Sequence, residues 1–175
     1  MRRFVAALAV LGTAVVGFTP TVGAVGYGAC TITGTISFAT TAMDAGTWTI
    51  GPAVLDCQGL IAARRRITGR GPFKGSGTFK AFPAGDAGCM RQSGTGMVDY
   101  RIPTSGGDIL VTEAESHNLV GAGVFETPTL HGAFQVPPPY QGDCITKPVG
   151  RATFVAQVVL VRYPRQAPNP KLPGH

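Results

Sequence analysis

Three side chains that can transfer protons or bind a metal ion stand at alternate positions of the chain: Glu113, Glu115 and His117. Alternate residues of a β-strand project from the same face, so a strand here would place two carboxylates and an imidazole side by side. Such a set can act as general acid and base. A solvent-exposed strand face carries the same residue types without any chemistry, and the sequence favours that simpler interpretation. The three residues are therefore catalytic candidates only.

No nucleophile, cofactor loop or metal site accompanies these residues in the sequence. Ser116 follows Glu115 directly and points to the opposite face of a strand, away from His117. No G-x-S-x-G segment is present. The glycine-rich segment 69–75 resembles a phosphate-binding loop but continues as a strand, whereas such loops lead into a helix. No cysteine or histidine spacing fits zinc, so we expect no metal and no cofactor.

A second candidate site is a run of basic residues that would bind an anion. Six positive charges fall within seventeen residues, and the last three share the polar face of one predicted strand. They are Arg64, Arg65, Arg66, Arg70, Lys74 and Lys80. An anionic envelope polymer, an acidic polysaccharide or lipid headgroups would be attracted to them, in a manner sensitive to salt. The alternative is an ordinary solvated loop and outer sheet face, which the sequence favours.

The start of the chain has the order of a secretory signal peptide. Arg2 and Arg3 precede an apolar run over 4–18 and then small residues ending at Ala24, where we place the cleavage site. The apolar run is short for a bilayer core of about 30 Å, so no transmembrane segment is expected after removal. A lipoprotein signal at Cys30 and a twin-arginine signal fit the residues less well. The sequence predicts a secreted or cell-wall-associated protein.

Charge and cysteine content fit that compartment. The net charge is +6, and removal of the signal segment leaves thirteen basic against nine acidic residues, or +4. This charge suits anionic envelope polymers but falls short of what nucleic-acid binding needs. Four cysteines in an exported chain predict two disulfides. Cys30 opens the first alternating run and Cys57 closes the second, so we expect Cys30 to pair with Cys57, and Cys89 to pair with Cys144.

The elements that would position all these residues are β-strands. Apolar residues or glycines alternate with polar residues throughout the mature chain, between clusters rich in Gly, Pro, Asp and Ser. We count seven to nine strands, among them single runs over 67–81 and 124–136. A bulge or bend is expected at Gly51 and Pro52, and Pro72 should bend, split or border its strand.

The fold class predicted is all-β, as one antiparallel barrel, with a two-sheet sandwich as the alternative. Glycines recur on an inward face, which a sharply coiled barrel requires. The domain should cover 25–163, followed by a disordered, proline-rich tail over 164–175. The aromatic residues on apolar faces are expected in the core: Trp48, Phe73, Phe79, Phe134 and Phe154. Tyr140, in a proline-stiffened loop, could contact a partner, although loop packing is the simpler role.

Two segments of the chain resemble small exported proteins of actinobacteria. These are the alternating run 30–38, which begins at Cys30, and the run from Cys144 through 145–149 to residues 152–154. The resemblance covers most of 30–163 and implies secretion and a β-rich disulfide domain. It supplies no activity, ligand or catalytic residue. The arginine run 64–66 and the polyproline loop depart from that pattern.

Taken together, these residues lead us to expect a non-enzymatic β domain, secreted or attached to the envelope, that binds an anionic polymer, a lipid or a protein. The competing hypotheses are a secreted hydrolase that uses Glu113, Glu115 or His117, and an inhibitor or toxin-like effector that presents a rigid loop. A deep pocket around Glu113 and His117 would favour the hydrolase. A filled barrel with an exposed rim would favour the binding domain.

Overall fold

The computed structural model describes residues 28–42, 45–61, 65–81, 92–119, 123–137 and 150–161. Within these ranges every regular element is a β-strand. The ten strands are β1 (Ala29–Ala42), β2 (Ala45–Gln58), β3 (Leu60–Ile61), β4 (Arg65–Arg66), β5 (Arg70–Ala81), β6 (Gln92–Ile102), β7 (Ile109–Asn118), β8 (Val124–Glu126), β9 (Leu130–Gln135) and β10 (Arg151–Leu160). The predicted all-β class is confirmed.

Eight of these strands close into an antiparallel barrel in the order β1, β10, β9, β8, β7, β6, β5, β2. The chain therefore runs up and down around the wall and joins its last strand to its first. β3 and β4 form a small separate hairpin between β2 and β5. The barrel, and not the sandwich, is the correct architecture. Because β10 pairs with β1, no strand of the described wall is an edge strand along its whole length, which limits edge-to-edge aggregation.

The Cys30–Cys57 disulfide is confirmed and follows from the strand pairing. Cys30 and Cys57 are directly opposite each other in the β1–β2 ladder, with Cα atoms 4.0 Å apart. Cys89 and Cys144 lie outside the described residues, so their pairing remains a prediction. The strand ends that flank them, at Ala81 and Gln92 and at Gln135 and Arg151, all belong to the barrel end opposite the Cys30–Cys57 bridge.

Alternation of buried and exposed residues explains why these segments are strands. In β10, for example, Ala152, Phe154, Ala156, Val158 and Leu160 are buried, while most residues between them face solvent. The inward-facing residues of the eight barrel strands form one continuous hydrophobic core. Of the aromatic residues predicted there, four are buried and Phe79 is partly buried against them. The barrel interior is therefore filled by side chains, as is common for eight-stranded barrels.

Inward glycines make room for the largest core side chain. Gly75 and Gly96 lie beneath the indole of Trp48, and a Cβ on Gly96 would fall 2.4 Å from its Cζ2 atom. Gly77 and Gly96 are directly opposite each other, and a Cβ on Gly77 would come within 2.1 Å of the Thr95 carbonyl oxygen. The glycine periodicity in β5 and β6 therefore has two causes: close backbone approach in a sharply coiled wall, and space for Trp48.

The strand irregularities expected at prolines are partly confirmed. Register shifts between Ile50 and Ala53 show the bulge predicted at Gly51 and Pro52. Pro72 remains inside β5 and pairs with Val54 of β2, while the ladder to β6 begins only at Phe73. Because proline has no N–H to donate, it is accommodated where one neighbouring ladder has not yet begun.

The expectation of a single strand over 124–136 is wrong, because the chain turns between β8 and β9. Thr127 Oγ1 accepts hydrogen bonds from the backbone N–H groups of Thr129 and Leu130, at 3.1 and 2.8 Å. Pro128, which lies inside the turn, cannot donate to a ladder. Likewise, the run predicted from Ile67 begins as β5 only at Arg70, and Ile67 forms an isolated bridge with Thr104.

Candidate functional site

Glu113, Glu115 and His117 project into the barrel from β7. The inward positions of this strand continue from Ile109 and Val111, both of which are buried. The prediction that the three polar residues share one face is confirmed. The interpretation that this face is solvent-exposed is wrong, because the side chains of Glu115 and His117 are only 1% and 3% exposed.

Glu115 and His117 form a buried hydrogen-bonded pair. The Nδ1 atom of His117 lies 3.0 Å from Oε1 and 3.2 Å from Oε2 of Glu115. In an apolar interior a carboxylate needs such a partner, because burying it unpaired is strongly unfavourable. The contact fixes the orientation of the imidazole ring and leaves Nε2 on its far side.

The His117 ring is enclosed by aromatic residues and a glycine. Its centroid lies 5.4 Å from that of Trp48, in an edge-to-face arrangement, and 5.7 Å from that of Phe134. Gly94 is its direct partner across the β6–β7 ladder, and a Cβ on Gly94 would fall 2.5 Å from Nε2. The ring thus depends on a glycine for its space.

Glu113 is held at a second polar site, where β8 ends and the turn to β9 begins. Tyr100 donates its hydroxyl to Glu113 Oε2 at 3.1 Å. The backbone N–H of Thr129 donates to the same oxygen at 3.2 Å, and the Thr129 hydroxyl donates to Oε1. Since β8 pairs with β7 only from Ser116 onwards, these bonds attach the turn to the part of β7 that β8 leaves unpaired.

The phenol of Tyr100 has a raised pKa at this site. Burial is the main cause, and the nearby Glu113 carboxylate raises the pKa further above the ordinary 10.0. An unfolded chain would ionise this tyrosine near pH 10, whereas the folded chain retains the proton. By linkage, the stability that this difference contributes is complete below pH 10 and is lost as the pH rises above it.

We therefore expect the free energy of unfolding to fall more steeply above pH 10 in the wild type than in Tyr100→Phe, which has no proton to release. Urea unfolding at a series of pH values from 8 to 11 measures this difference, with all lysines and the other tyrosines common to both proteins. Parallel curves for the two proteins would show that Tyr100 is not buried against Glu113.

The chemistry available to this interior is limited. An imidazole anchored through Nδ1 with a free Nε2 is the arrangement of a general base. Yet Ser116 is exposed on the outer face, so no serine beside His117 on β7 can act as its nucleophile. Among the described residues no group of three His, Cys, Asp or Glu side chains could hold a metal ion.

Concave sites on the described surface also avoid this polar row. One groove of about 780 Å³ crosses the outside of β2, β5, β6 and β7 and includes Pro52, Pro72 and Leu110. Two smaller depressions lie near Phe79 and near Gly59. Glu113, Glu115 and His117 line none of the three. A deep pocket around Glu113 and His117, the feature that would favour a hydrolase, is thus not among them.

The basic residues predicted to bind anions divide into four groups, of which Arg65 and Arg66 form the last. Arg64 lies outside the described residues. Arg70 and Lys74 form ion pairs with Asp56 and Asp99, at 2.8 and 3.5 Å. Lys80 is ten residues beyond Arg70 along β5, which at a strand rise of about 3.3 Å per residue separates them by roughly 33 Å. The structure therefore does not gather all six cations into one patch.

Arg65 and Arg66 stand apart from the paired cations. Both are exposed on β4, and neither has an acidic partner among the described residues. The turn 104–107 supports them: Ser105 accepts from the Arg66 N–H at 3.2 Å and donates its own N–H to the Arg66 carbonyl at 2.8 Å. We call this surface, formed by Arg65, Arg66 and the turn 104–107, the basic end.

The turn beneath the basic end has a fixed shape. Thr104 Oγ1 donates to the Gly107 carbonyl at 2.6 Å and accepts from the Gly106 N–H at 3.2 Å. Gly107 has a φ of 99°, which favours glycine. Arg65 lies over Gly106, with its Nε 3.0 Å from where a Cβ on that glycine would be. The two arginines are therefore presented on a structured support at the same end as the Cys30–Cys57 bridge.

Two residues that bind Glu113 in the interior were not predicted from the sequence. Tyr100 and Thr129 bind Glu113 from 13 and 16 residues away along the chain. The sequence did indicate that Glu113 faces inward, because it follows the apolar residues Ile109 and Val111 at the two-residue spacing of one strand face. It gave no such indication of the contact from Thr129, since that contact depends on how the turn after β8 folds.

No described helix is long and apolar enough to cross a membrane. Comparison of the chain with models of protein families, with curated proteins and with solved structures finds no match.

Proposed function

We propose that this chain is an exported binding domain that docks on an anionic polymer of the cell envelope through its basic end. The observation that carries the proposal is the exposed pair Arg65 and Arg66, which lacks acidic partners among the described residues while Arg70, Lys74 and Arg101 are each paired with an aspartate. Two adjacent arginines whose side chains have no acidic partner in the described part of the chain can each donate bidentate hydrogen bonds to phosphate or carboxylate groups.

Export supports this choice of partner. The signal-like first 24 residues, the disulfide-bonded cysteines and the resemblance to exported actinobacterial proteins all suggest an oxidising, extracellular setting. Anionic polymers are the abundant ligands there, and the mature charge of +4 favours approach to them. Lipid headgroups and acidic proteins are also negatively charged, but each would be a different class of partner.

A binding role also agrees with the filled interior. The carboxylates of Glu113 and Glu115 are occupied by hydrogen bonds within the barrel, and the described surface depressions do not reach them. A hydrolase would need a route from solvent to Glu115 and His117. If one exists, Glu115→Gln should abolish hydrolysis of its substrate while leaving polymer retention intact.

The proposal predicts a site-specific effect of charge removal. On a phosphocellulose column, Arg65→Gln with Arg66→Gln should elute at a clearly lower salt concentration than the wild type. The matched control, Arg70→Gln with Lys74→Gln, removes the same charge from residues already paired with aspartates, so its elution should change less. Because exposed attraction is screened by salt, retention of the wild type should fall steeply with ionic strength.

Equal shifts for the two double variants would mean that net charge alone governs retention, and the basic end would not be a site. Thermal unfolding of both variants controls for misfolding, since all four side chains are on the surface and their replacement should cost less than about 1 kcal/mol. Repeating the measurement with a glycerol phosphate polymer and with anionic vesicles in place of phosphocellulose then distinguishes binding to a polymer from binding to a lipid surface.

A further inference from the structure

Three buried nitrogen atoms inside the barrel have no hydrogen-bond partner in the described part of the chain: Trp48 Nε1, Gln92 Nε2 and His117 Nε2. Their residues are only 1%, 5% and 6% exposed. Buried polar atoms in native proteins almost always have a partner, which can be an ordered water molecule or a ligand. Three such atoms in one small barrel therefore require an explanation.

The strand register brings these atoms to the same part of the interior. Gln92, Gly94 and Gly96 are successive inward positions on β6. His117 lies on Gly94, with Nε2 2.5 Å from where its Cβ would be, and Trp48 lies on Gly96, with Cζ2 2.4 Å from the corresponding position. The two rings contact each other, with centroids 5.4 Å apart. Gln92 is the next inward side chain beyond them, at the barrel end where β6 begins.

The chemistry of the three atoms defines what they would bind. The indole N–H of Trp48 and the amide N–H groups of Gln92 can only donate. His117 Nδ1 is engaged by Glu115, so Nε2 is the atom available to an additional partner. The Glu115 carboxyl group is already buried beside the imidazole, and an additional ion would be costly to bury in this apolar setting, which favours a neutral guest.

We propose that this interior site, formed by Trp48, Gln92 and His117, holds a small neutral guest that accepts hydrogen bonds from Trp48 and Gln92 and contacts Nε2 of His117. Water has this chemistry, and so has a small neutral organic molecule with a carbonyl or hydroxyl group. The proposal is independent of the basic end, so either one can fail without the other.

The chain contains a single tryptophan, which makes the test direct. In the full ¹⁵N-labelled mature protein, rotating-frame NMR cross-relaxation should give a cross-peak between the one indole N–H and the guest. Cross-peaks from chemical exchange have the opposite sign in this experiment and are therefore distinguished. A cross-peak at the water frequency identifies water. Cross-peaks to carbon-bound protons, together with an added mass in native mass spectrometry, identify an organic guest. Cross-peaks only to protein protons, with no added mass, would overturn the proposal.

A pair of variants tests the role of Gln92 in the same experiment. Gln92→Leu removes one partner and should weaken or abolish the cross-peak between the indole and the guest. Gln135→Leu, at an exposed position of β9, is the matched control and should leave it unchanged. An undiminished cross-peak in a folded Gln92→Leu protein would contradict the proposed site. Should that variant not fold, the wild-type spectrum decides alone.

Discussion

Glu115→Leu is expected to lower the free energy of unfolding by about 1–3 kcal/mol, the cost of leaving a buried polar atom of His117 without its hydrogen-bond partner. The side chain of His117 is 3% exposed, and Nδ1 would lose both contacts to the carboxylate without gaining access to water. Denaturant unfolding, followed by the fluorescence of the single tryptophan beside His117, measures the change.

The chain supplies a matched control for this prediction. Glu126 and His131 form the same kind of contact, Nδ1 to carboxylate at 2.8 Å, but their side chains are 53% and 49% exposed. Glu126→Leu should therefore cost less than about 1 kcal/mol. Glu115→Leu combined with His117→Leu should recover much of the single-variant loss, because no buried polar group is then left unpaired. Equal costs at Glu115 and Glu126 would contradict the buried pair.

Gly96→Ala is expected to destabilise the barrel by about 3 kcal/mol or more, at the upper end of the range for overpacked cores. The new Cβ would lie 2.3 Å from the Ser76 carbonyl oxygen, 2.4 Å from the Trp48 ring and 2.9 Å from the Gly77 Cα. Two of these three neighbours are backbone atoms, so a change of rotamer cannot relieve the clash. The same unfolding measurement applies.

Two further variants make the glycine prediction specific. Gly150→Ala is the control, because a Cβ at this exposed glycine would meet nothing within 4 Å, and its effect should be within about 0.5 kcal/mol. Trp48→Phe combined with Gly96→Ala should rescue only part of the loss, since the contacts with backbone remain. A Gly96→Ala protein as stable as Gly150→Ala would show that β5 and β6 do not approach so closely.

The barrel could be predicted because two-residue periodicity is a local property of the sequence. Cys30 and Cys57 begin and end consecutive strands, so their pairing needed only the assumption of antiparallel neighbours. The glycines on the inward strand face predicted a sharply coiled sheet from the sequence alone. Where the pattern was interrupted, at Pro128, the prediction joined β8 and β9 into one strand, because apolar residues continue on both sides of the turn.

The sites were harder to predict because they depend on contacts between distant strands. The spacing of Glu113, Glu115 and His117 identified them as a group, but their polarity suggested that they lie on the outer face of the strand. The alternation that begins at Ile109 and Val111 instead places them on the inner face. Arg70 and Lys74 looked like free cations until the register of β2, β5 and β6 placed Asp56 and Asp99 beside them. Only the folded structure separates those paired residues from Arg65 and Arg66.

If the function resides on the outer surface, His117 must lie sealed inside a packed barrel. Reaction of the folded protein with diethylpyrocarbonate, followed by peptide mass mapping, tests it within one sample, because His131 is half exposed and serves as the internal reference. We expect His131 to be modified and His117 to react only after denaturation. Modification of His117 at the rate of His131 in the native protein would place it within reach of solvent and contradict this account.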